Sequence, residues 1–448
     1  MRIVVGVKIV QGEIGPFDAA ALECALATGA ETTVLCMGPE AVREPLRKLT
    51  RRGDFRTVLL CDRAYAGSDT LATATVLAAA VRKLEPDLVL CGRQTMDGDT
   101  GQTGPCLAAL LGWRLVPNVL DFSLEKCRTR TGAEVLRRPA VVTVERIAEL
   151  RFPSLFAKEK PVEVWDNTRL GVAEEACGLA GSPTRVLQTF AAEQGNRKCR
   201  FISRNELEPL LEQLRKRPRR GWAIPESGKK FRRIWAVGHE VEKQAWAIAD
   251  EVVFLEKTTS EEIARRAAAE KPEVILWNAD LWGRRNAPGV AAFLRTGLCA
   301  DCTSLETDGK RLWMYRPTYG GSVMAKIECR TLPQMATVRT DSGGGEVIFS
   351  CGRGAADKWS KVKKLAKTLG AELGASRGLV DTGRVPYALQ IGLTGRMVSP
   401  KVYVAIGISG AVQHTCAIAN ADTVIAWNPD KNARIFEFAD YGILEAFS

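Results

Sequence analysis

The chain repeats itself, and this limits its fold more than any other feature. Glu85-Pro-Asp-Leu-Val-Leu90 returns as Lys271-Pro-Glu-Val-Ile-Leu276, and Pro105-Cys-Leu-Ala-Ala-Leu-Leu111 as Pro288-Gly-Val-Ala-Ala-Phe-Leu294. Arg138-Pro-Ala-Val-Val-Thr-Val-Glu145 returns as Leu332-Pro-Gln-Met-Ala-Thr-Val-Arg339. The offsets are 186, 183 and 194 residues, in the same order, which chance does not produce. Each copy reads as helix, Pro-acid turn, apolar strand, loop, second helix and later strand. That alternation is the signature of a parallel α/β domain.

With 448 residues there is room for more than the two copies, at about 100 to 200 residues per domain. The sequence divides into 1–200 with the first copy, a helix and basic linker at 201–230, the second copy at 231–340, and a third α/β unit at 341–448. Asp341-Ser-Gly-Gly-Gly345 marks the last boundary. The expected fold class is therefore α/β: two related parallel-sheet domains and a third. No apolar run approaches the roughly 18 residues of a membrane helix. Lys8 interrupts MRIVVGVKIV, which reads as a first strand rather than a signal peptide.

The 13 cysteines are scattered, mostly in apolar runs, as reduced core thiols of a cytoplasmic protein are. Cys299-Ala-Asp-Cys302 has metal-ligand spacing, but no second CxxC or His pair completes a site, so no metal is expected. Part of the net charge of +11 comes from Arg215-Lys-Arg-Pro-Arg-Arg220, Lys229, Lys230, Arg232 and Arg233. Without interleaved aromatics for base stacking, this stretch reads as a solvated linker and not a nucleic-acid site.

The chemistry concentrates in the third unit. Val347–Cys351 reads as a strand, about 358–369 as a helix, and Val402–Ile406 as a buried strand that runs into Gly407-Ile-Ser-Gly410. Open α/β sheets bind ligands at the carboxyl ends of such strands. Three further turns, Gly352-Arg353-Gly354, Gly374-Ala-Ser-Arg377 and Gln390-Ile-Gly-Leu-Thr-Gly395, join it within a short span. Glycine lets a flat or phosphorylated ligand approach the backbone, while hydroxyls and guanidinium groups supply donors. His414 follows Ser409 by five residues, either as a satisfied structural ring or as a stabiliser of negative charge.

These turns, together with Val424-Ile-Ala-Trp-Asn428 and Ile435-Phe-Glu-Phe-Ala-Asp-Tyr-Gly442, resemble the FAD-binding domain of electron transfer flavoprotein alpha subunits. Arg316-Pro-Thr-Tyr-Gly-Gly321 and Pro333–Arg339 resemble that subunit's first domain. Pro16-Phe-Asp18, Cys91–Pro105 and Gly181-Ser-Pro-Thr-Arg-Val186 resemble the beta subunit. The resemblance implies a beta-like half fused to an alpha-like half, with the two repeats packed about a pseudo-twofold axis. It also implies FAD contacts from Arg353, Ser376, Arg377, Gln390, Thr394, Gly395, Ser409, Gly410, His414, Asn428 and Asp440. A cation and donors near the ring favour its reduced, negatively charged form, so electrons pass one at a time.

The loop Asp97-Gly-Asp-Thr-Gly-Gln-Thr-Gly-Pro105 follows a strand and precedes a helix. It is either a capped Gly-rich turn or a phosphate cradle. By resemblance, Asp97, Asp99, Thr100, Gln102, Thr103 and Gly104 hold AMP, or a second FAD as in bifurcating members that oxidise NADH. The Asp-Gly-Asp-Thr form is similar to the bifurcating group. Against it stands the shortened connection Gln11–Gly15, while the altered C-terminus bears on the adenosine end of the FAD site. The segment 172–198 is either an exposed loop or the docking loop for an acyl-CoA dehydrogenase, with Leu179 as anchor.

Three readings follow. The first is an electron carrier between such a dehydrogenase and a redox acceptor, with FAD and AMP. The second is a bifurcating flavoprotein with two FADs. The third is a nucleotide-binding module without redox activity.

Overall fold

The computed structural model describes residues 1–191, 197–218, 228–319, 323–340, 346–392, 395–396, 398–419 and 421–448. The chain forms two compact units. One comprises Met1–Gln188, Ile224–Arg316 and Ala325–Val338, and the other Thr189–Ala223, Pro317–Met324 and Arg339–Ser448.

The first unit holds both repeats. In the first copy the elements are β1 (Arg2–Val7), α1 (Pro16–Ala27), β2 (Glu31–Met37), β3 (Arg56–Leu60) and α2 (Thr70–Leu84). There follow β4 (Leu88–Gly92), α3 (Thr103–Leu111), β5 (Arg114–Asp121), β6 (Ala140–Val144) and β7 (Glu163–Trp165). The second copy has β8 (Phe231–Val237), β9 (Ala249–Leu255), α4 (Ser260–Glu270), β10 (Val274–Asn278), α5 (Leu281–Leu294), β11 (Leu298–Cys302) and β12 (Gln334–Val338).

Their sheets share one topology: β2-β1-β4-β6-β5 in the first copy corresponds to β9-β8-β10-β12-β11 in the second. All of these pairings are parallel. The first sheet continues through β3 and β7 on one side and two short antiparallel strands on the other. Both faces are buried, hence near-continuous apolar strands such as Val141-Val-Thr-Val144.

The sequence matches have physical causes. Glu85 and Lys271 both end their helices in the left-handed region (φ 46° and 48°), and the following proline prevents continuation. The threonines shared by the third match, Thr143 and Thr337, each accept a backbone N–H through the side-chain hydroxyl. Their donors are Asn118 (2.9 Å) and Asp301 (2.8 Å), left-handed residues of the neighbouring strand. The helices of the second match, α3 and α5, pack on one another: Cys106 Sγ reaches the Pro288 carbonyl at 3.5 Å, and Ala292 joins Leu71, Ala74 and Cys106 in one cluster.

The second unit is a parallel sheet of β13 (Val347–Cys351), β14 (Glu372–Ser376), β15 (Gln390–Ile391), β16 (Val402–Ile406), β17 (Thr423–Trp427) and β18 (Tyr441–Ile443), with the helix α6 (Trp359–Thr368). The order is β18-β17-β16-β13-β14-β15. Beside β18 lies a seventh strand, Arg200–Phe201. The segment expected to be only a joint thus completes this sheet. Its helix Leu207–Lys216 buries Leu207, Leu211 and Leu214 against Val347, Phe349, Val402 and Val404. Arg215, expected in a solvated linker, instead donates to the Leu369 carbonyl, because the amphipathic helix carries it onto the domain. The basic residues Arg219 and Arg220 and the glycine joint 342–345 lie outside the described residues. Among the described residues, no helix is long and apolar enough to cross a membrane.

Candidate functional site

The strand order of the second unit reverses between β13 and β16: from β13 the chain steps outward to β14 and β15, and from β16 to β17 and β18. Loops leaving adjacent strands at such a point go to opposite faces and leave a crevice at the carboxyl edge. The two loops there are Gly352-Arg353-Gly354 and Gly407-Ile-Ser-Gly410. They are in backbone contact: Gly352 N donates to Ile406 O at 2.7 Å and Gly354 N to Gly407 O at 3.1 Å. A Cβ on Gly352 would stand 2.1 Å from Gly407 O, and one on Gly407, at φ +63°, 2.6 Å from Ala355 N. Gly410, at φ +88°, would meet Ile435 N at 2.2 Å. Only glycine allows this approach.

The expected FAD residues largely gather along that edge. Arg353 follows β13, Ser376 ends β14 and precedes Arg377, Gln390 lies in β15, Ser409 follows β16 and Asn428 follows β17. Arg353, Arg377 and Ser409 face solvent, as ligand donors must, and Arg377 also pairs with Asp381 at 3.3 Å. Gln390 is buried, with its carbonyl held by Arg396 N at 2.7 Å, and a Cβ on Gly395 would meet that carbonyl at 2.3 Å. Asn428 is a loop holder, donating to the Ile408 carbonyl at 3.0 Å. Thr394 lies outside the described residues.

Two residues of the expected set, His414 and Asp440, differ from the others in their surroundings. His414 sits on a helix of only four residues, Val412–Thr415, too short to present a substantial dipole end. Its ring is 6% exposed, and Nε2 meets the Tyr403 hydroxyl at 2.8 Å. Among the described residues, Nδ1 has no hydrogen-bond partner of good geometry, the Ile391 carbonyl lying nearby. Burial drives the ring down to about 4, although the nearby Ile391 carbonyl favours the charged form, so His414 is neutral at physiological pH. Tyr403 had no assigned role in the sequence, yet a phenol inside an apolar strand needs a partner.

Asp440 precedes β18 and therefore lies at the opposite, amino edge of the sheet. It accepts from Val424 N at 2.8 Å and pairs with Arg197, which also donates to Ala421 O at 2.7 Å. It lines a cleft of about 140 Å³ there with Lys401, Asp422 and Tyr441. Its geometry is that of an anchor for the strand Arg200–Phe201.

In the first copy the analogous reversal lies between β1 and β4. The buried Asp18 accepts from Lys8 N (2.9 Å) and Gly92 N (3.1 Å), tying the ends of both strands together. Burial pushes its carboxyl up to about 7. The loop Asp97–Gly104 leaves β4 and opens α3. Burial raises the Asp97 carboxyl, but the Lys8 ammonium at 2.5 Å, Thr95 and Gly98 N–H outweigh it and hold it below its usual value. Gln94 Nε2 donates to Asp99 at 3.2 Å, and Thr70 and Thr100 hydroxyls are 3.5 Å apart. Thr103 begins α3, and a Cβ on Gly104 would stand 2.4 Å from the Thr143 methyl.

Among the described residues, no side chain caps α3. Gln102, at its N-cap, is 4% exposed with Nε2 unpartnered. The second copy differs: Asp280 caps α5 through Gly283 N at 2.7 Å, and Lys257 bridges Asp280 (3.1 Å) and Glu240 (2.5 Å) over the corresponding crevice. Free helix N–H groups for an anion are thus offered by the first copy and closed off in the second.

Leu179 is 70% exposed and lies against Gly67, and the strand Thr184–Ala191 runs within the segment expected as a loop. A denser apolar surface is elsewhere, in the irregular stretch holding Phe152 (92% exposed), Leu155 (86%) and Phe156 (95%). Sequence reading missed it, although Phe-Pro-Ser-Leu-Phe amid Arg151, Lys158 and Lys160 is apolar without helix or strand period. Cys299 and Cys302 are buried in β11, and no metal-binding cluster of three or more His, Cys, Asp or Glu occurs among the described residues.

The geometry agrees with comparison to known proteins. Residues 343–419 match the family model described as "Electron transfer flavoprotein FAD-binding domain", so the switch-point loops fall within that domain. The model "Electron transfer flavoprotein domain" matches twice, over 4–170 and 237–344, once per repeat. The chain is 37% identical to electron transfer flavoprotein subunit alpha of Thermoanaerobacterium thermosaccharolyticum over 46% of this chain and 81% of that protein. It is 39% identical to Protein FixA of Azorhizobium caulinodans over 46% of this chain and 83% of that protein. It is 38% identical to caffeyl-CoA reductase-Etf complex subunit CarD of Acetobacterium woodii over 40% of this chain and 75% of that protein. Some curated relatives are covered over less than two thirds of their length. Because one domain model recurs in both repeats and its FAD-binding companion follows them, the chain belongs to the electron transfer flavoprotein family.

Proposed function

We propose that this protein is a single-chain electron carrier, beta-like in its first half and alpha-like in its second. It passes electrons singly from an acyl-CoA dehydrogenase-type flavoprotein to a redox acceptor. The observation that carries this reading is the glycine-lined crevice between β13 and β16, with Arg353, Arg377, Ser376 and Ser409 along its rim. A flat, doubly phosphorylated cofactor fits that donor set: two cations for phosphate or ring oxygens, two hydroxyls, and a backbone without Cβ atoms in the way. Bound FAD supplies an isoalloxazine that takes up and returns electrons. The chain's own groups do the rest. Arg353 and Arg377 bring positive charge, Asn428 holds the Ile408 carbonyl and with it the Ser409 loop, and neutral His414 with Tyr403 backs the crevice. Nδ1 of His414, without a hydrogen bond of good geometry among the described residues, is a site of the kind a bound ring would satisfy.

In the first copy, Asp97, Asp99, Thr100, Gln102, Thr103 and Gly104 hold an adenine nucleotide, for which the uncapped start of α3 is the support. We assign AMP there. A second FAD, and with it electron bifurcation from NADH, is the alternative that the similarity to CarD and the Asp-Gly-Asp-Thr loop favour. Partner docking falls to the exposed Phe152, Leu155 and Phe156 in preference to Leu179 alone. Purified protein tests all of this by its flavin and nucleotide count per chain. One FAD with AMP supports the carrier, two FADs and bleaching by NADH the alternative, and nucleotide without flavin a binding module.

A further inference from the structure

The strand Leu312–Thr318 alternates inward and outward, and its inward positions are Leu312, Met314 and Arg316. The third of these places a guanidinium where the pattern reserves space for an apolar group. Arg316 is 3% exposed. It makes one hydrogen bond, from Nη1 to the carbonyl of Gly98 at 2.7 Å, across the boundary between the two repeats. Its Nε and Nη2 atoms have no partner, and it forms no ion pair among the described residues. Several half-buried arginines of the repeats do meet a carboxylate: Arg93 and Arg130 share Glu145, Arg284 meets Asp301, and Arg285 meets Glu134.

A guanidinium does not give up its proton in a protein, and an uncompensated buried charge costs several kcal/mol. Such a group persists where an anion completes it. The loop it touches is Asp97–Gly104, whose far end carries the uncapped N-terminus of α3 and the buried, unpartnered Gln102 amide. Three independent features, a buried cation, free helix N–H groups and a buried amide donor, therefore converge on one loop.

We propose that Arg316, supplied by the second repeat, is the charge partner of the nucleotide phosphate held by the first repeat's loop. The inference rests on the nucleotide reading of that loop given above. The second repeat, whose own crevice is closed by Glu240, Lys257 and Asp280, contributes to binding through this one side chain. The phosphate is that of AMP or of the adenosine half of FAD, and the two are separated by the ligands used in the test.

The test is binding of AMP, FAD and uncharged adenosine to the full chain stripped of nucleotide, measured by calorimetry for wild type, Arg316→Gln and Arg316→Lys. Glutamine retains a donor for the Gly98 carbonyl and lacks the charge, whereas lysine keeps the charge. The expected result is a loss of about 10- to 100-fold in AMP affinity in the glutamine variant, the range of a charge-assisted hydrogen bond. Lysine retains most of the affinity, and adenosine binds all three proteins alike. If FAD rather than AMP loses affinity at this loop, the same inference holds with the dinucleotide as ligand.

Equal losses for AMP and adenosine would make Arg316 a purely structural residue and overturn the inference, as would unchanged AMP affinity in Arg316→Gln. In both cases the nucleotide reading survives. A wild-type chain that binds neither AMP nor FAD at the loop, with Thr100→Ala equally silent, overturns the nucleotide reading and this inference together. Should Arg316→Gln fail to fold, the lysine variant still decides: loss of AMP affinity despite the retained charge contradicts the proposal.

Discussion

Replacing Gly352 by alanine strikes the crevice without touching any donor. The residue has φ −97°, which alanine adopts freely, so backbone conformation is no obstacle. The added Cβ would stand 2.1 Å from Gly407 O and 2.8 Å from Ile408 Cα, where real Cβ contacts below 3.0 Å are essentially never seen. Both neighbours are backbone atoms of the facing loop, so no side chain can swing aside. The loops must part by about 1 Å, which strains the bonds Gly352 N to Ile406 O (2.7 Å) and Gly354 N to Gly407 O (3.1 Å). At about 1 kcal/mol each, their loss lowers stability by about 2 kcal/mol, and FAD binding weakens as well because the parted loops no longer present the crevice. Titration of stripped protein with FAD, followed by quenching of flavin fluorescence, reads the affinity, and thermal denaturation of the same samples reads the stability. A variant that loses stability yet binds FAD as tightly as wild type would refute the reasoning, because the ligand then does not lie against these loops.

Three further outcomes are expected. Asp440→Asn, at the amino edge of the sheet, should lower thermal stability by weakening the hold of Arg197 on the strand Arg200–Phe201 while leaving FAD affinity unchanged; reduced FAD affinity without a stability change would return Asp440 to the flavin site. Changing Phe152 and Phe156 to serine should slow reduction by a purified acyl-CoA dehydrogenase with flavin content and melting temperature intact, since both rings are already in water; an unchanged rate would remove this surface from docking. His414 and Asp18 should contribute pH dependences of opposite sign. His414 has its folded value lowered from 6.5 to about 4, so its own contribution falls by about 1.4 kcal/mol per pH unit as pH falls through that window. Asp18 has its value raised from 3.8 to about 7, so its own contribution is lost as pH rises toward 7, against carboxylates of the same unit such as Glu23, Asp97 and Glu163 whose values are lowered. Stability against pH for wild type minus His414→Gln and wild type minus Asp18→Asn checks this, and difference slopes of the same sign would contradict it.

The repeat was legible because its marks have fixed geometric roles: left-handed helix ends before Pro86 and Pro272, and the threonines Thr143 and Thr337 that hold a neighbouring strand. The glycine turns were legible for a similar reason, since two loops in backbone contact exclude a Cβ. What stayed hidden depends on partners distant in sequence. A two-residue strand such as Arg200–Phe201 has no periodicity of its own and exists because β18 offers an open edge. Asp440 and Asn428 flank consecutive strands, yet one precedes its strand and the other follows, which puts them at opposite edges. Whether His414 is a satisfied structural ring or a stabiliser of negative charge stayed open in the sequence, because the phenol of Tyr403 that meets it in the core lies eleven residues earlier on another element. Exposure of Phe152 and Phe156 was invisible for the converse reason: an apolar side chain in a sequence reads the same whether it faces the core or a partner.

The contents of the crevice between β13 and β16 are the most direct test of electron carriage by this chain. Crystals or frozen grids of the full chain grown with excess FAD would show where the ring lies. Density for the isoalloxazine is expected within reach of Arg353, Arg377 and Ser409, at the carboxyl edge of the sheet. Density at the amino edge beside Asp440 and Lys401, or a folded chain that takes up no flavin at all, would contradict it.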